Sequence, residues 1–416
     1  MQKLYIFVSI IFISFLLSSC GGGKRNRNTE ERSDTSLTNT DSNKTPKKPK
    51  VDPRIYNDLA RYIAGLKGEP GSKYAQYEAD KAWQTYAQYA NALWKKVADE
   101  KLPLMIDWQK QELRKPNKKG GTLFYPFSGP DFLHASAFFP KVEQTVMMGL
   151  EPIGSLPDID DIAKNKPQNY LNNLIASLNS VLNFSFFKTK EMKYTFGGHA
   201  DKRLDGTLPV ILFFMARTNH KVLEHEKVAL TKNGNVVKAS EIKVGNPDQD
   251  TTYYGNKLVY QAKGDDTKRT LYYFSANLAD RVYDGMSGLL QREDLLGYIN
   301  NLSINATFLK SASYLLYKPY FSILRRTILK KSTYLLQDDS GIPSKYIIED
   351  NKWKITFYGT YTGPIALFAN YFQPELKSAF EPLSGEKVKP LPFGIGYQFK
   401  EGTSNLMLAK EKSLFE

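Results

Sequence analysis

The sequence predicts an α+β fold, in which a mixed, largely antiparallel sheet is covered by helices and preceded by a helical N-terminal segment. Apolar residues recur every three to four positions in the first part of the body, as in amphipathic helices. Short β-rich runs separated by turn signals follow, and helical patterns then return. With 416 residues, 41% of them hydrophobic, the chain has enough apolar material for a large core.

The first 19 residues have the pattern of a secretory signal peptide. Lys3 supplies a positive charge, and an apolar run from Leu4 to Leu17 follows it. This run is shorter than the roughly 20 apolar residues that a membrane-spanning helix needs. The sequence Leu17-Ser18-Ser19-Cys20 resembles the bacterial lipobox, whose Cys is acylated, typically with palmitate among the acyl groups. We therefore predict that Cys20 is lipidated and anchors the protein to a membrane of the bacterial cell envelope, on its periplasmic or surface side. An uncleaved anchor or a plain signal peptide is the alternative.

Residues 20–52 are predicted to be a flexible tether between Cys20 and the body. The segment consists mainly of Gly, Lys, Arg, Asn, Thr, Ser and Pro, so it cannot bury enough apolar surface to offset the entropy of ordering. Cys20 is the only Cys of the chain, so the body can form neither a disulfide nor a thiolate metal site.

The net charge of +14 bears on the choice of partner. Residues 1–52 contain nine Lys or Arg and five Asp or Glu, which gives +4 and leaves +10 for the remaining residues. An exported basic body favours anionic lipid head groups or an anionic polysaccharide, and nucleic acid does not fit this location. An envelope protein is a further candidate partner. The alternative is that dispersed Lys residues only keep the surface soluble. The sequence indicates no cofactor.

The globular body is predicted over residues 53–416, with possible lobes at 53–200 and 201–416. Pro53 is expected in the first turn of a helix that continues through Ile55 and Leu59. A second helix carries an apolar stripe that is more typical of a core than of a sugar-binding surface. The stripe consists of Trp83, Ala87, Ala90, Trp94 and Val97.

An aromatic and Pro-rich block between residues 122 and 157 is the candidate binding region. Strands are predicted at Thr122–Tyr125 and Val142–Met148, and loops between rigid elements often carry function. The candidate binding residues are Tyr125, Phe127, Ser128, Asp131 and Phe132. Ser128, Asp131 and His134 are close enough in sequence to suggest a nucleophile and a base. We favour Asp131 as the N-cap of a short turn that contains His134.

The middle of the body is predicted to contain one buried strand and two hairpins. The continuous apolar run Leu208–Ala216 has the pattern of a strand buried on both faces. Lys221–Leu230 and Val236–Ile242 are predicted to pair across an Asn-Gly turn, and Lys257–Ala262 is predicted to pair with Arg269–Phe274.

His220, Glu224, His225 and Glu226 are of types that bind metals. Residues five apart on a strand face opposite sides, so His220 and His225 cannot share one ion without a bulge. We therefore predict no metal site here.

The last third is predicted to begin with helices at Leu289–Leu302, around Phe308 to Leu316, and at Ile323–Ile328. Strands are predicted at Tyr334–Gln337 and Trp353–Phe357.

Asp338 and Asp339, at the end of a predicted strand, are the best catalytic candidates. Two close carboxyl groups raise the pKa of one of them, as a general acid requires. His134 or His199 could assist them. The alternative, which we favour, is a turn in which Asp and Ser side chains bind their own backbone.

Three segments resemble a widely distributed family of uncharacterised bacterial envelope proteins. They are Phe124–Phe132 (FYPFSGPDF), Lys310–Tyr317 (KSASYLLY) and Leu336–Pro343 (LQDDSGIP). The resemblance implies one long domain and assigns no catalytic residue. It also suggests that the three segments form one site.

Two functions follow as hypotheses. The first is a lipid-anchored binding or structural module of the envelope that uses the loop from Tyr125 to His134. The second is an envelope-acting hydrolase or transferase with Asp338 or Asp339 as acid or base.

Overall fold

The computed structural model describes residues 52, 54–117, 119–184, 192, 194–196, 201–242, 253–381 and 388–412. Several predicted features lie outside these residues, namely the signal peptide, Cys20, the tether up to residue 51, Pro53 and His199. The body, Val51–Glu416, forms one unit.

One ten-stranded mixed sheet runs through the described part of the body. Its strands are β1 (Thr122–Pro126), β2 (Gln144–Gly149), β3 (His220–Leu230), β4 (Val236–Lys238), β5 (Tyr254–Ala262), β6 (Lys268–Ser275), β7 (Ile304–Leu309), β8 (Tyr334–Gln337), β9 (Trp353–Gly359) and β10 (Asn405–Glu411). Their order is β4-β3-β5-β6-β2-β1-β7-β8-β10-β9.

The direction of the strands changes across the sheet. The five central strands, β6-β2-β1-β7-β8, run parallel to one another. The strands on both sides of this centre pair antiparallel, which accounts for five of the nine described pairings. The predicted α+β fold with a mixed sheet is therefore confirmed.

Helices cover both faces of the sheet. They are α1 (Ile55–Ile63), α2 (Lys81–Lys96), α3 (Leu102–Glu112), α4 (Phe132–Phe138), α5 (Ile159–Lys164), α6 (Pro167–Phe184), α7 (Leu208–Arg217), α8 (Glu293–Asn301), α9 (Ser322–Lys331), α10 (Lys345–Ile348) and α11 (Pro374–Ala379). Helices α1 to α7 pack in one core with Leu123 and Tyr125, whereas α8 to α11 pack in a second core with Phe124. Successive strand residues point to opposite faces, so β1 contributes to both cores.

The first two helices form as their apolar spacing predicts. Trp83 and Trp94 of α2 are buried. The indole N–H of Trp83 donates to the carbonyl oxygen of Tyr62 at 3.1 Å, which joins α2 to α1. Asp80 caps α2 by accepting hydrogen bonds from two backbone N–H groups of its first turn. The apolar stripe of α2 is therefore core.

The apolar run that we predicted as a strand is a helix. All residues of α7, Leu208–Arg217, are buried, and the helix packs against α1 and β3. A helix surrounded by protein needs apolar side chains on every side, and its sequence then lacks the periodicity that separates helix from strand. Pro209 lies in the first turn, where a missing N–H breaks no helical hydrogen bond.

The prediction of a helix around Phe308 is also wrong. Phe308 lies in β7, which pairs with β1 and β8 in the centre of the sheet. A central parallel strand is buried on both faces and therefore also lacks a clear period. Leu315–Tyr317 forms only a short 3-10 helix. Strand β10, which pairs with β8 and β9, was not predicted.

Both predicted hairpins form, as β3 pairs with β4 and β5 pairs with β6. The first hairpin requires Gly234, whose φ is 74°. A Cβ atom there would lie 2.2 Å from the backbone nitrogen of Tyr298. The Asn-Gly turn thus packs against α8 as well as reversing the chain.

Candidate functional site

A cleft of about 530 Å³ lies at the carboxyl ends of the central parallel strands. The loops after β1, β2, β6 and β7 contribute to its lining. Parallel strands bring the loops at their carboxyl ends to one edge of the sheet, where open sheets of this kind bind ligands. Small-molecule pockets usually measure roughly 300–1,000 Å³, so this cleft has the size of a ligand site.

The walls of the cleft are mainly apolar, and several of its polar side chains are buried. The apolar and aromatic lining residues are Phe127, Leu150, Ala276, Leu278, Tyr283, Ala312, Leu315, Phe321, Ile365, Leu367 and Phe368. The polar lining residues are Tyr125, Ser128, Asp131, Glu151, Asn277, Lys310, Ser311, Ser313 and Tyr397. Asp131 and Lys310 are 0% and 4% exposed, whereas Leu367 is 80% exposed. We call the buried polar end, next to the strands, the floor of the cleft.

Asp131, Lys310, His134 and Tyr125 form a buried ionic cluster at this floor. Lys310 Nζ lies 2.7 Å from Asp131 Oδ2, and the Tyr125 hydroxyl donates to the same oxygen at 2.8 Å. His134 Nδ1 lies 2.8 Å from Asp131 Oδ1 and 3.2 Å from Lys310 Nζ. Asp131 Oδ1 also accepts the backbone N–H of His134 at 3.2 Å, which confirms the predicted N-cap.

The charges in the ionic cluster depend on one another. Burial works to raise the pKa of Asp131, but the interactions with His134 and Lys310 outweigh burial and hold this pKa below its usual value. Burial has the largest effect on the pKa of His134 and lowers it, Lys310 lowers it further, and Asp131 opposes both. Nδ1 of His134 lies near both partners, and the ion pair is that of Asp131 and Lys310.

The loop from Lys310 to Tyr314 has an unusual backbone. Ser311, Ser313 and Tyr314 have φ values of 52°, 52° and 53°, in the left-handed region that non-glycine residues seldom adopt. Such conformations persist only where the surroundings hold them, and they are concentrated at functional sites. We call this segment the left-handed loop.

Asp338 and Asp339 hold the left-handed loop in place. Asp338 Oδ2 accepts the backbone N–H of Ser311 at 2.8 Å, and its Oδ1 accepts the N–H of Ser340 at 3.0 Å. Asp339 Oδ2 accepts the hydroxyl of Tyr314, and its Oδ1 accepts the side-chain amide of Asn405 at 3.0 Å. All four carboxyl oxygens are thus bound within the protein.

The same two groups have shifted pKa values. Burial, and to a smaller extent the neighbouring Asp339, raises the pKa of Asp338 to about 7. Burial also raises the pKa of Asp339, against the hydrogen bonds from Tyr314 and Asn405. Neither side chain is among the described residues that line the cleft.

The structure brings together the three segments on which the family resemblance rests. Lys310 contacts Asp131, Ser311 contacts Asp338, and Ala312 N–H donates to Ser340 Oγ at 2.8 Å. All three segments therefore meet around the left-handed loop.

The predicted binding residues lie in different places. Tyr125, Phe127, Ser128 and Asp131 line the cleft. Phe132 does not line it, because its ring packs between the rings of His220 and Tyr260, at centroid distances of 5.2 and 5.3 Å. The catalytic candidate His134 lies behind Asp131 in the ionic cluster.

Several lining residues were not among the predicted site residues. Lys310 and Ser311 belong to a segment that the resemblance suggested for the site, but they follow β7, which we predicted as helix. Tyr397 belongs to a segment that gave no functional signal. A strand assignment for residues 304–309 would have indicated that Lys310 lies at a strand end. Leu367 and Phe368 come from the 3-10 helix Ala366–Tyr371.

His220 and His225 have separate side-chain partners. The ring of His220 lies 2.9 Å from the Thr218 hydroxyl, whereas Nε2 of His225 lies 2.9 Å from Asn256 Oδ1. In the part of the chain that the structure describes, no three His, Cys, Asp or Glu side chains are grouped so that they could hold a metal ion.

Comparisons with known proteins do not assign the chain to a family. Neither a scan against protein-family models nor searches of curated proteins and of solved structures found a match. Among the described helices, none combines the length and the apolar character needed to cross a bilayer. A function must therefore be inferred from the cleft and its residues.

Proposed function

We propose that the protein is a lipid-anchored binding module of the bacterial cell envelope, whose cleft takes a ligand with an apolar body and a polar group. The signal-peptide and lipobox patterns support the anchor and the location. The cleft supports binding, because its walls are mainly apolar and its lining includes buried polar side chains.

The observation that carries this proposal is a cleft of ligand size whose mainly apolar lining includes buried polar side chains. Phe127, Leu278, Leu315 and Phe321 provide apolar contact area, and Lys310 and Asp131 are buried polar groups. A pocket of this kind gains affinity from apolar contact and orientation from its polar groups.

One observation favours a second candidate, an envelope-acting hydrolase or transferase. The pKa of Asp338, which burial raises to about 7, suits a general acid or base near neutral pH. Against this, the oxygens of Asp338 already accept hydrogen bonds from Ser311 and Ser340. Substrate would have to displace these bonds, and we therefore place binding first.

A direct titration with a fluorescent apolar probe tests the binding proposal. The full-length chain carrying Cys20→Ala, which lacks the lipid, is titrated with N-phenyl-1-naphthylamine. Leu315→Glu, which places a charge in the apolar wall, should weaken probe binding at least about ten-fold, since burial of an unpaired charge is costly. Leu104→Glu on α3, where Leu104 is 40% exposed, is the control and should bind as the parent does. Equal binding by both variants would contradict the proposal, provided that circular dichroism shows both to be folded.

A further inference from the structure

Exposed apolar residues lie beside the mouth of the cleft, next to its lining residue Tyr283. Val282 and Leu290 are 65% and 55% exposed, and Tyr320 is 40% exposed. They belong to one surface, because the Asp280 backbone is hydrogen-bonded to those of both Tyr320 and Leu290. The Tyr283 ring, which lines the cleft, lies 6.1 Å from the ring of Tyr320.

Leu367 belongs to the segment that lines the cleft with Ile365 and Phe368, and it is 80% exposed. We call Val282, Leu290, Tyr320 and Leu367 the apolar rim. Isolated exposed apolar residues are ordinary, but a group of them next to a ligand-sized cleft indicates a site for an apolar group.

The floor offers a hydrogen-bonding group that the protein leaves unused. Ser311 Oγ is buried, lines the cleft and has no hydrogen-bond partner. The neighbouring hydroxyl of Ser128 donates to the carbonyl of Met148 at 3.3 Å. A buried hydroxyl without a partner is costly, and a ligand atom at the floor would satisfy it.

The charges at the floor restrict the polar group of the ligand. The charges of Lys310 and Asp131 compensate each other across 2.7 Å. Among the described lining residues Lys310 is the one cationic side chain, so an anionic group at the floor would find no unpaired counter-ion. The floor therefore fits an uncharged group that forms hydrogen bonds, such as an ester, an amide or an alcohol.

We propose that the cleft binds a single-chain amphiphile with its uncharged polar head at Ser311 and its apolar chain passing along the aromatic walls to the apolar rim. In this orientation the polar head of the ligand lies at the buried Ser311 hydroxyl, and its apolar chain contacts the exposed apolar rim. It rests on the proposed binding function and adds the class of the ligand and the direction in which it enters.

Two spin-labelled esters test the orientation. Methyl 5-doxylstearate carries its nitroxide near the polar head, and methyl 16-doxylstearate carries it near the end of the chain; a nitroxide quenches the fluorescence of a nearby indole. In the full-length Cys20→Ala chain, Leu367→Trp places an indole at the rim, and Leu104→Trp places one on α3 as the control. The four native Trp residues give the same background in both variants.

The expected result is that the 16-doxyl ester quenches the Leu367→Trp indole at least about twice as strongly as the 5-doxyl ester at equal occupancy. Stronger quenching by the 5-doxyl ester would overturn the orientation while leaving the binding function intact. If the esters quench the Leu104→Trp indole as strongly as the Leu367→Trp indole, they are not in the cleft. No binding of either ester or of the naphthylamine probe would overturn the binding function as well.

Ser311→Ala tests the polar end of the site. It should weaken binding of the 5-doxyl ester by about three- to ten-fold, the usual effect of one hydrogen bond. Ser177→Ala on α6 is the control, because its hydroxyl donates to the carbonyl oxygen of Asn173 at 3.0 Å and does not line the cleft; it should bind within about two-fold of the parent. 5-Doxylstearic acid at pH 8, which carries a carboxylate, should bind more weakly than its methyl ester. Unchanged binding by Ser311→Ala, or tighter binding of the acid, would contradict the assignment of the head group.

Discussion

Lys310→Met removes the cation that faces the buried carboxylate of Asp131. Asp131 is 0% exposed, and Lys310 Nζ lies 2.7 Å from its Oδ2. Methionine keeps much of the length and apolar contact of the lysine side chain but has no charge. The variant therefore leaves Asp131 with the hydrogen bonds from Tyr125 and His134 and without a counter-ion.

The expected loss is about 3–5 kcal/mol in the free energy of unfolding at pH 7, because breaking a buried ion pair leaves one charge uncompensated. The matched control is Lys221→Met. Lys221 Nζ lies 3.1 Å from Glu69 Oε1, but the two side chains are 54% and 39% exposed. A pair exposed to this extent contributes about 0–1 kcal/mol, so the control should unfold nearly as the parent does.

Urea unfolding at several pH values is the assay. The pKa of Asp131 is lowered in the folded protein, so its ion pair contributes stability that is present above the unfolded pKa of about 3.9 and is lost as the pH falls through the folded value. Without Lys310 the pKa of Asp131 should rise, because burial still raises it and one of the groups that lower it is gone. The difference between the variant and the parent should therefore become smaller as the pH is lowered from 7 to 4.

The double variant Asp131→Asn/Lys310→Met decides whether the reasoning is correct. It removes the uncompensated charge and should recover part of the stability that Lys310→Met loses. The assigned role of the ion pair is contradicted if Lys310→Met loses less than about 1 kcal/mol in the free energy of unfolding, or if the double variant is no more stable than Lys310→Met.

Three further predictions concern the lipid anchor, the buried carboxyl group of Asp338 and the close approach of Gly396 to Asp338. Cys20→Ala should move the protein from the membrane fraction to the soluble fraction, and retention in membranes would contradict the lipobox assignment. The raised pKa of Asp338 makes the folded state bind a proton that the unfolded state has lost, so stability should fall as the pH rises from about 4 to 7. Asp338→Asn should reduce this fall of stability with pH, measured by urea unfolding, and an unchanged pH dependence would contradict the raised pKa of Asp338. Gly396→Ala should destabilise more than Gly402→Ala. Both glycines have positive φ, but a Cβ at Gly396 would lie 2.3 Å from Asp338 Oδ2, whereas a Cβ at Gly402 would have no atom within 4 Å. Equal melting temperatures of the two variants would refute this prediction.

Elements with a local signal were correctly predicted from the sequence. The stripe with Trp83 and Trp94, the Asn-Gly hairpin at Gly234 and the N-cap at Asp131 each depend on residues a few positions apart. Periodicity, turn chemistry and capping act over the same distances, so these features can be read directly from the chain.

Elements that are buried on all sides were not correctly predicted from the sequence. Leu208–Arg217 and Ile304–Leu309 are both short apolar runs, yet one is a helix and the other a central strand. Their conformations are decided by what surrounds them, because uniform burial removes the alternation that identifies a secondary structure.

The candidate site shows the same division. The sequence drew attention to Tyr125, Asp131 and Asp338, but it gave them no common geometry. His134 and Lys310 are 176 residues apart in the chain and touch because β1 and β7 are neighbours in the sheet. The sequence by itself determined the class of fold, and the lipid anchor at Cys20 stays a prediction from the sequence. Only the tertiary structure decided that the strand ends enclose a cleft, since this depends on the order of the strands, which no local pattern encodes.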